Sequence, residues 1–550
     1  MDATPGLREP VPVGDVAGGA HRVASIARSI GRHRMPLSKL RLRLLTVSLL
    51  TVSLLGALDH TVVSTSLATI AADLGAIQQM SLVVVGYTLA STVLLPVLGK
   101  LGDAVGPRAV FLTSLVLFLV ASLACGLAPD MGWLVVSRVV QGMSSAGLQL
   151  MSQTIIAEVT TPRERPKYLS VIGAAFPIAI LVGPVAGGLI TDYWGWHWVF
   201  WINLPLGAAA LVLALYAVPH IEPGGRRRFD AAGAVTFTIG LVALVLAATW
   251  WTDAGAVGSA VVATVVAVVA LAVFFVVETR AVEPVLPLRF FRNRTISAGV
   301  ALSAIIGVGL FSITFYLPTY VQMTFHTSAT VSGLVPIATV FGMLLSNLTT
   351  GFLVSRTGRY RVFPLVGTAL AAAGLVVMSL LPLGTPLWVA MVVMFAVGLG
   401  TGSFMSIIVA VVQGEVRRTE TGSVTATLNL VRQIGSTVTT AVIGGVVGVG
   451  VAAMLPAGLD PAGVTPQSLA GADAATQASV AAIYHDVFAP VFLALAVAYA
   501  LGLVAAVLMP DRVLADAPAS DGDGVAVISG ATPADPTPDS PAPTTSRRSP

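Results

Sequence analysis

Three charged residues stand inside runs that are otherwise apolar, and they are the first candidates for chemistry. They are Asp59 in LDHTVVSTSL, Arg138 at the head of RVVQGMSSAGLQL, and Arg432 in LNLVRQIG. In a lipid hydrocarbon core such a charge costs at least about 2.5 to 3.5 kcal/mol unless it meets a partner or water. Each must therefore face the protein interior. A carboxyl held there can take up or release a proton as its surroundings turn from dry to wet. Asp59 is thus a candidate proton carrier, with a static bond between helices as the alternative. His60 beside it points elsewhere on the helix and reads as a packed or rim residue.

The neighbours of the two arginines extend the pattern. Gln141, Ser145, Gln149 and Ser152 follow Arg138 at steps of three or four, which puts them on one helix face opposite Val139, Val140 and Met143. Thr425, Asn429, Gln433, Ser436 and Thr440 share the face of Arg432 in the same way. Two polar faces of this kind suit an aqueous path, and Gln141, Gln149, Asn429, Arg432 and Gln433 are candidates to line it. Asn347, the one strong polar group deep in its run, is a further candidate. Elsewhere GPVAGG sets Gly183, Pro184, Gly187 and Gly188 in the middle of an apolar helix. Proline removes a helix hydrogen bond and the glycines admit close neighbours, so a bend is expected there.

Other chemistry is largely excluded. The single Cys125 permits no internal disulfide, Cys-based zinc site or Cys-ligated iron–sulfur cluster. None of the three lysines, Lys39, Lys100 and Lys167, sits in a phosphate-cradling P-loop, and the seven scattered histidines form no cluster. No cofactor and no metal are expected. The net charge of +4 does not mark a nucleic-acid partner, because the basic residues are distributed for another purpose.

That purpose emerges from the elements that must carry these residues. Of 550 residues, 55% are apolar and 10% charged, with a mean hydropathy of +0.88. The composition is that of an integral membrane protein, since a soluble chain carries about a quarter charged residues. Apolar runs long enough to span fall near 44–72, 80–98, 109–128, 132–157, 168–190, 198–219, 231–250, 256–277, 297–317, 331–354, 363–382, 387–412, 423–450 and 487–509, which makes fourteen. They are too long and too uniformly apolar for barrel strands, so all are helices. With a cytoplasmic N-terminus, 28 of the 30 Lys and Arg fall in inner segments, none in an outer loop, and the other two are Arg138 and Arg432. This partition predicts a multi-pass protein of the cell membrane with both termini cytoplasmic.

The expected organisation is a basic tail over 1–43, a six-helix bundle over 44–219, two extra helices with inner loops over 220–296, and a second six-helix bundle over 297–510. No small-residue cleavage site follows the first apolar run, so it should stay attached as a signal anchor. A long outer loop near 451–484 and a disordered cytoplasmic tail over 511–550 complete the plan. At an offset of 252 residues, GKLGDAVGPR and GFLVSRTGRY align Gly99 with Gly351, Leu101 with Leu353 and Gly106 with Gly358. Repeated halves with a ligand site between them are the usual plan of secondary transporters.

Together these segments resemble the major facilitator superfamily, and within it the 14-span drug:H+ antiporter family. LDHTVVSTSLATI looks like the first-span motif, GKLGDAVGPR like the loop motif after span 2, RVVQGMSSAG like the fourth-span motif and GPVAGG like the antiporter motif; WGWHWVFWINLPLG adds a fifth match. The resemblance implies that Asp59 and Arg138 are the proton-coupling pair. It also implies that Gly99, Asp103, Gly106 and Arg108 form the loop that latches the inner gate, and that Gly183 to Gly188 are the flexing bend. Departures are Ala104 for the Arg that usually follows the loop Asp, Ser355 for Asp in the second copy, Ala179 for a Gly, and His197 for an Arg. The acid that exporters of polycations often carry in span 10 is missing.

By this resemblance the chain is expected to be a proton-coupled antiporter, not an enzyme, that exports a bulky hydrophobic compound, drug or antibiotic. Its expected partners are a small-molecule substrate, protons and the bilayer, and it is expected to act as a monomer. A siderophore, lipid or other metabolite is the alternative cargo. A membrane enzyme or channel is the remote alternative, for which no nucleophile–base set or selectivity ring is present.

Overall fold

The computed structural model describes residues 38–76, 79–221, 230–250, 255, 257–281, 284, 286–327, 329–455, 468–469 and 473–514. The basic N-terminal segment before residue 38, the RRRF at 226–229, much of the expected outer loop and the tail beyond 514 lie outside them.

A backbone in lipid finds no water, so each long apolar run folds as a helix that bonds its own N–H and C=O groups. In chain order the helices are α1 (Lys39–Asp73), α2 (Met80–Val105), α3 (Pro107–Gly126), α4 (Met131–Val159), α5 (Arg165–Gly173), α6 (Ala175–Trp194), α7 (His197–Trp201), α8 (Asn203–Ala217) and α9 (Ala231–Trp250). The series continues with α10 (Val257–Arg280), α11 (Arg294–Phe325), α12 (Ala329–Ser332), α13 (Leu334–Thr357), α14 (Val362–Leu380), α15 (Leu387–Gly414), α16 (Thr421–Met454) and α17 (Ala474–Leu508). Short 3-10 segments at Leu288–Arg292 and Arg418–Glu420 lead into α11 and α16.

Among the described residues, eleven helical stretches are long and apolar enough to cross a membrane, with α5 and α6 counted as one stretch and α7 and α8 as another. The long helices α4, α9 and α11 stand beside these eleven. A helix break falls at Ala174, between α5 and α6, and α6 carries Pro184 and its glycines inside it. The expected loop over 451–484 is shorter than read, because α16 continues to Met454 and α17 begins at Ala474. The Ala-rich stretch AATQASVAAIY favours helix once it can stack on the apolar run after it.

Packing separates the chain into two groups and a bridge. In the first group α4 packs on α2 and α3, and α3 on α8; in the second α15 packs on α13 and α14, and α11 on α16 and α17. The pair α9 and α10 pack on each other, and α9 touches both α2 and α16. Val93 of α2, Phe237 and Leu241 of α9, Phe274 of α10 and Leu430 of α16 form one apolar cluster at that seam. Outward-facing valines such as Val262, Val265 and Val268 on α10 remain exposed. A face of that kind suits lipid rather than water.

The sequence echo has a packing counterpart. A Cβ added at Gly99 would lie 2.9 Å from the carbonyl oxygen of Gly422, and one at Gly351 would lie 2.8 Å from that of Pro166. Each glycine lets its helix touch the opposite group. The aligned Gly106 and Gly358 both take a positive φ, 95° and 72°, to end α2 and α13.

Candidate functional site

Four helices bring their polar groups to one dry cluster. Asp59 comes from α1, Arg138 and Gln141 from α4, Ser122 from α3 and Asn203 from the start of α8, and all are at most 2% exposed. Arg138 forms an ion pair with Asp59 Oδ2 and donates to Gln141 Oε1 at 2.8 Å. Gln141 Nε2 donates to Asp59 Oδ1 at 2.8 Å and to Ser122 Oγ at 2.8 Å. Asn203 Nδ2 donates to Asp59 Oδ1 at 3.0 Å. Buried charges survive only when paired and hydrogen-bonded, and this pair is both.

Tyr87 of α2 connects the cluster to open space. Its ring lies over the Arg138 guanidinium, 4.1 Å from Cζ to the centroid. Its hydroxyl is within hydrogen-bond distance of Ser145 Oγ at 2.7 Å and of the Gly56 carbonyl oxygen at 3.2 Å. Tyr87, Ser145 and His60 line a cavity of about 160 Å³ between the two helix groups. A cavity near that volume holds about one aromatic ring. Leu169, Phe176, Met405 and Val409 supply apolar wall, and Gln149, Gln153, Arg432 and Gln433 supply polar wall.

The sequence candidates thus divide. Gln149, Arg432 and Gln433 are at the cavity, while Gln141, Asn347 and Asn429 are not among its lining residues. Gln141 turns to Asp59. Asn347 donates to the Ser170 carbonyl at 3.0 Å and accepts from Ser406 Oγ at 2.7 Å, joining α13 and α15 to α5. Asn429 donates to Gln153 Oε1 at 3.1 Å and accepts from Arg432.

At one end of the molecule the two groups are bolted together. Asp103, near the end of α2, accepts from the Gly422 N–H at 2.8 Å, the Ser423 N–H at 2.9 Å and the Ser423 hydroxyl at 2.6 Å. Arg163, between α4 and α5, donates to the Ser355 carbonyl at 3.3 Å and the Arg356 carbonyl at 2.5 Å, at the end of α13. Arg108 stays within its own group, donating to the Val218 carbonyl at 2.6 Å and the Leu215 carbonyl at 3.1 Å.

The glycines of α6 face α1. A Cβ at Gly183 would lie 2.1 Å from Thr61 Oγ1 and one at Gly187 2.8 Å from the Val62 carbonyl oxygen, whereas one at Gly188 would meet nothing within 4 Å. Ser122, Asn203 and Tyr87 were missed in the sequence. Asn203 carried a usable signal, an amide inside the apolar run WVFWINLPLG, of the same kind that marked Asp59.

The family model of the Major Facilitator Superfamily matches residues 49–440. The chain belongs to the Major Facilitator Superfamily. Members of this superfamily are multi-pass membrane transporters. An uncharacterized MFS-type transporter of Mycobacterium tuberculosis is 34% identical over 410 residues, covering 74% of this chain and 60% of that protein's length. The multidrug transporter protein MdtP of Bacillus subtilis is 32% identical over 396 residues, covering 71% of this chain and 72% of MdtP. Among solved structures, the proton:xylose symporter XylE superimposes with a TM-score of 0.57 at 15% identity, covering 86% of this chain and 97% of XylE. That likeness shows a shared fold.

Proposed function

We propose that the chain is a proton-coupled antiporter that exports a bulky hydrophobic organic compound, a drug or antibiotic, from the cell. The observation that carries this reading is the ion pair of Asp59 and Arg138, one side chain away from the cavity through Tyr87. Protonation of Asp59 removes its hold on Arg138 and on the two amides that donate to it, and a cavity wall built on Tyr87 shifts with that release. In the other direction, a change in the wall alters the bond that decides whether the proton stays. Binding and proton release are then coupled through one residue. The name of the B. subtilis relative supports a drug as cargo.

In this reading α4, α9 and α11 join the eleven apolar stretches to give fourteen spans, the arginine-rich loops are cytoplasmic, and the monomer is the working unit. The end held by Asp103 and Arg163 is then the closed cytoplasmic gate. Everted membrane vesicles energised to an acid interior provide the test. Uptake of a fluorescent lipophilic dye should require the chain and stop when a protonophore collapses the gradient. Uptake that survives the protonophore would sink proton coupling.

A further inference from the structure

We propose that the cavity holds an anion subsite at Arg432, and that its ligands are lipophilic organic monoanions with a carboxylate on that guanidinium. The proposal rests on the export reading only in taking the cavity as the place where cargo sits. Arg432 projects from α16, whose backbone is fixed at this point by α11: a Cβ at Gly307 would stand 2.0 Å from the Arg432 carbonyl oxygen. The side chain is 9% exposed and forms part of the cavity wall. Its hydrogen bond goes to the neutral Asn429 side chain.

Arg138 provides the contrast. Both are buried cations, but Arg138 is neutralised by Asp59 and Arg432 has no carboxylate partner among the described residues. Among the described acids of the second group, Glu420 pairs with Arg289 and Arg417, Glu415 with Arg512 and Asp486 with His485, and Asp473 is exposed at the start of α17. An uncompensated guanidinium in a partly dry wall is costly, and a ligand that brings one negative charge removes that cost. The planar fork of Arg suits a carboxylate bidentately. Beside it, Leu169, Phe176, Met405 and Val409 offer an apolar surface for a ring or alkyl body. One cation and one apolar wall define a monoanion with a hydrophobic body, and they disfavour a dication.

Three probes with one aromatic ring test this: phenylacetate, 2-phenylethanol and benzyltrimethylammonium. Their binding to the purified full chain in lipid nanodiscs is read by fluorescence against empty nanodiscs. The carboxylate should bind about tenfold tighter than the alcohol, and the ammonium weakest. Arg432→Gln should abolish the preference, so that carboxylate and alcohol bind alike, and Arg432→Lys should keep part of it. Equal binding of the three by the wild type overturns the subsite, a comparison that needs no variant to fold. So does a carboxylate preference that survives in Arg432→Gln. Gradient-driven uptake of the alcohol into everted vesicles is measured separately. A binding preference without any uptake sustains the anion subsite and sinks export, whereas uptake without the preference does the reverse.

Discussion

Asp103 and Ser423, 320 residues apart, share two hydrogen bonds, from the Ser423 N–H at 2.9 Å and its hydroxyl at 2.6 Å, both to Asp103 Oδ2. With the Gly422 N–H on Oδ1, the carboxylate caps the first turn of α16 and meets the positive end of its dipole. Arg163 makes the complementary contact, a cation on the last carbonyls of α13.

Removal of this cap should open that end of the molecule. Hydrogen bonds to a charged group contribute about 1.5 to 3 kcal/mol each, so Asp103→Ala should shift the open fraction by about tenfold or more. A cysteine in place of buried Ser170, in a Cys125→Ala background, should react with a maleimide correspondingly faster. An unchanged rate would show that Asp103 does not hold the two groups together.

Asp59→Asn should stop gradient-driven transport, because an amide cannot change charge. It also leaves Arg138 buried without its counter-ion, a loss of about 3 to 5 kcal/mol for such pairs. The double variant Asp59→Asn with Arg138→Gln should recover much of the thermal stability without recovering transport. Transport by the single variant at the wild-type rate and pH dependence would refute the proton-carrier role.

The glycines of α6 should differ sharply in tolerance. Gly183→Ala drives a methyl into Thr61, and Gly187→Ala drives one toward the Val62 carbonyl, so each should cost about 1 to 3 kcal/mol. Gly188→Ala meets open space and should be close to neutral. Melting temperatures of the three purified variants decide this, and equal losses at all three would remove the packing explanation.

Orientation is checked by thiol labelling in the Cys125→Ala background. Single cysteines within 473–479 should react with an impermeant reagent on intact cells, while those at 226–228 and 417–418 should react only after the membrane is opened. External reaction at 226–228 would overturn the fourteen-span reading.

That Asp59 and Arg138 face the interior was legible because a charge in an apolar run demands a partner or water; that the two belong together was what the family resemblance implied. Less legible was how neighbouring positions divide. Gln141 and Gln149 fall on one polar stripe, yet steps of four drift by about 40° each, so the two lie about 80° apart on α4. One turns to Asp59 and the other to the cavity. Asn429 and Gln433 part in the same way, and Asn347 serves as a bridge to Ser170 rather than as wall. Ser122 escaped notice because a hydroxyl costs little in a helix, where it can bond its own backbone. The Gly and Pro of GPVAGG suggested a hinge; in the structure Gly183 and Gly187 also serve close contact with α1, and a separate helix break falls at Ala174.

Arg163 meets main-chain carbonyls at Ser355 and Arg356, and Asp103 meets the main-chain N–H of Gly422 and Ser423 beside the Ser423 hydroxyl. Main chain is the same whatever residue carries it. The second half is therefore free to vary at Ser355 and Arg356, where carbonyls alone are used, but not at Gly422, where a Cβ would lie 2.6 Å from Asp103 Oδ1. Ser355, standing where the repeat would place an acid, contributes its carbonyl. That position therefore keeps its contact with Arg163 whether it carries a hydroxyl or an acid.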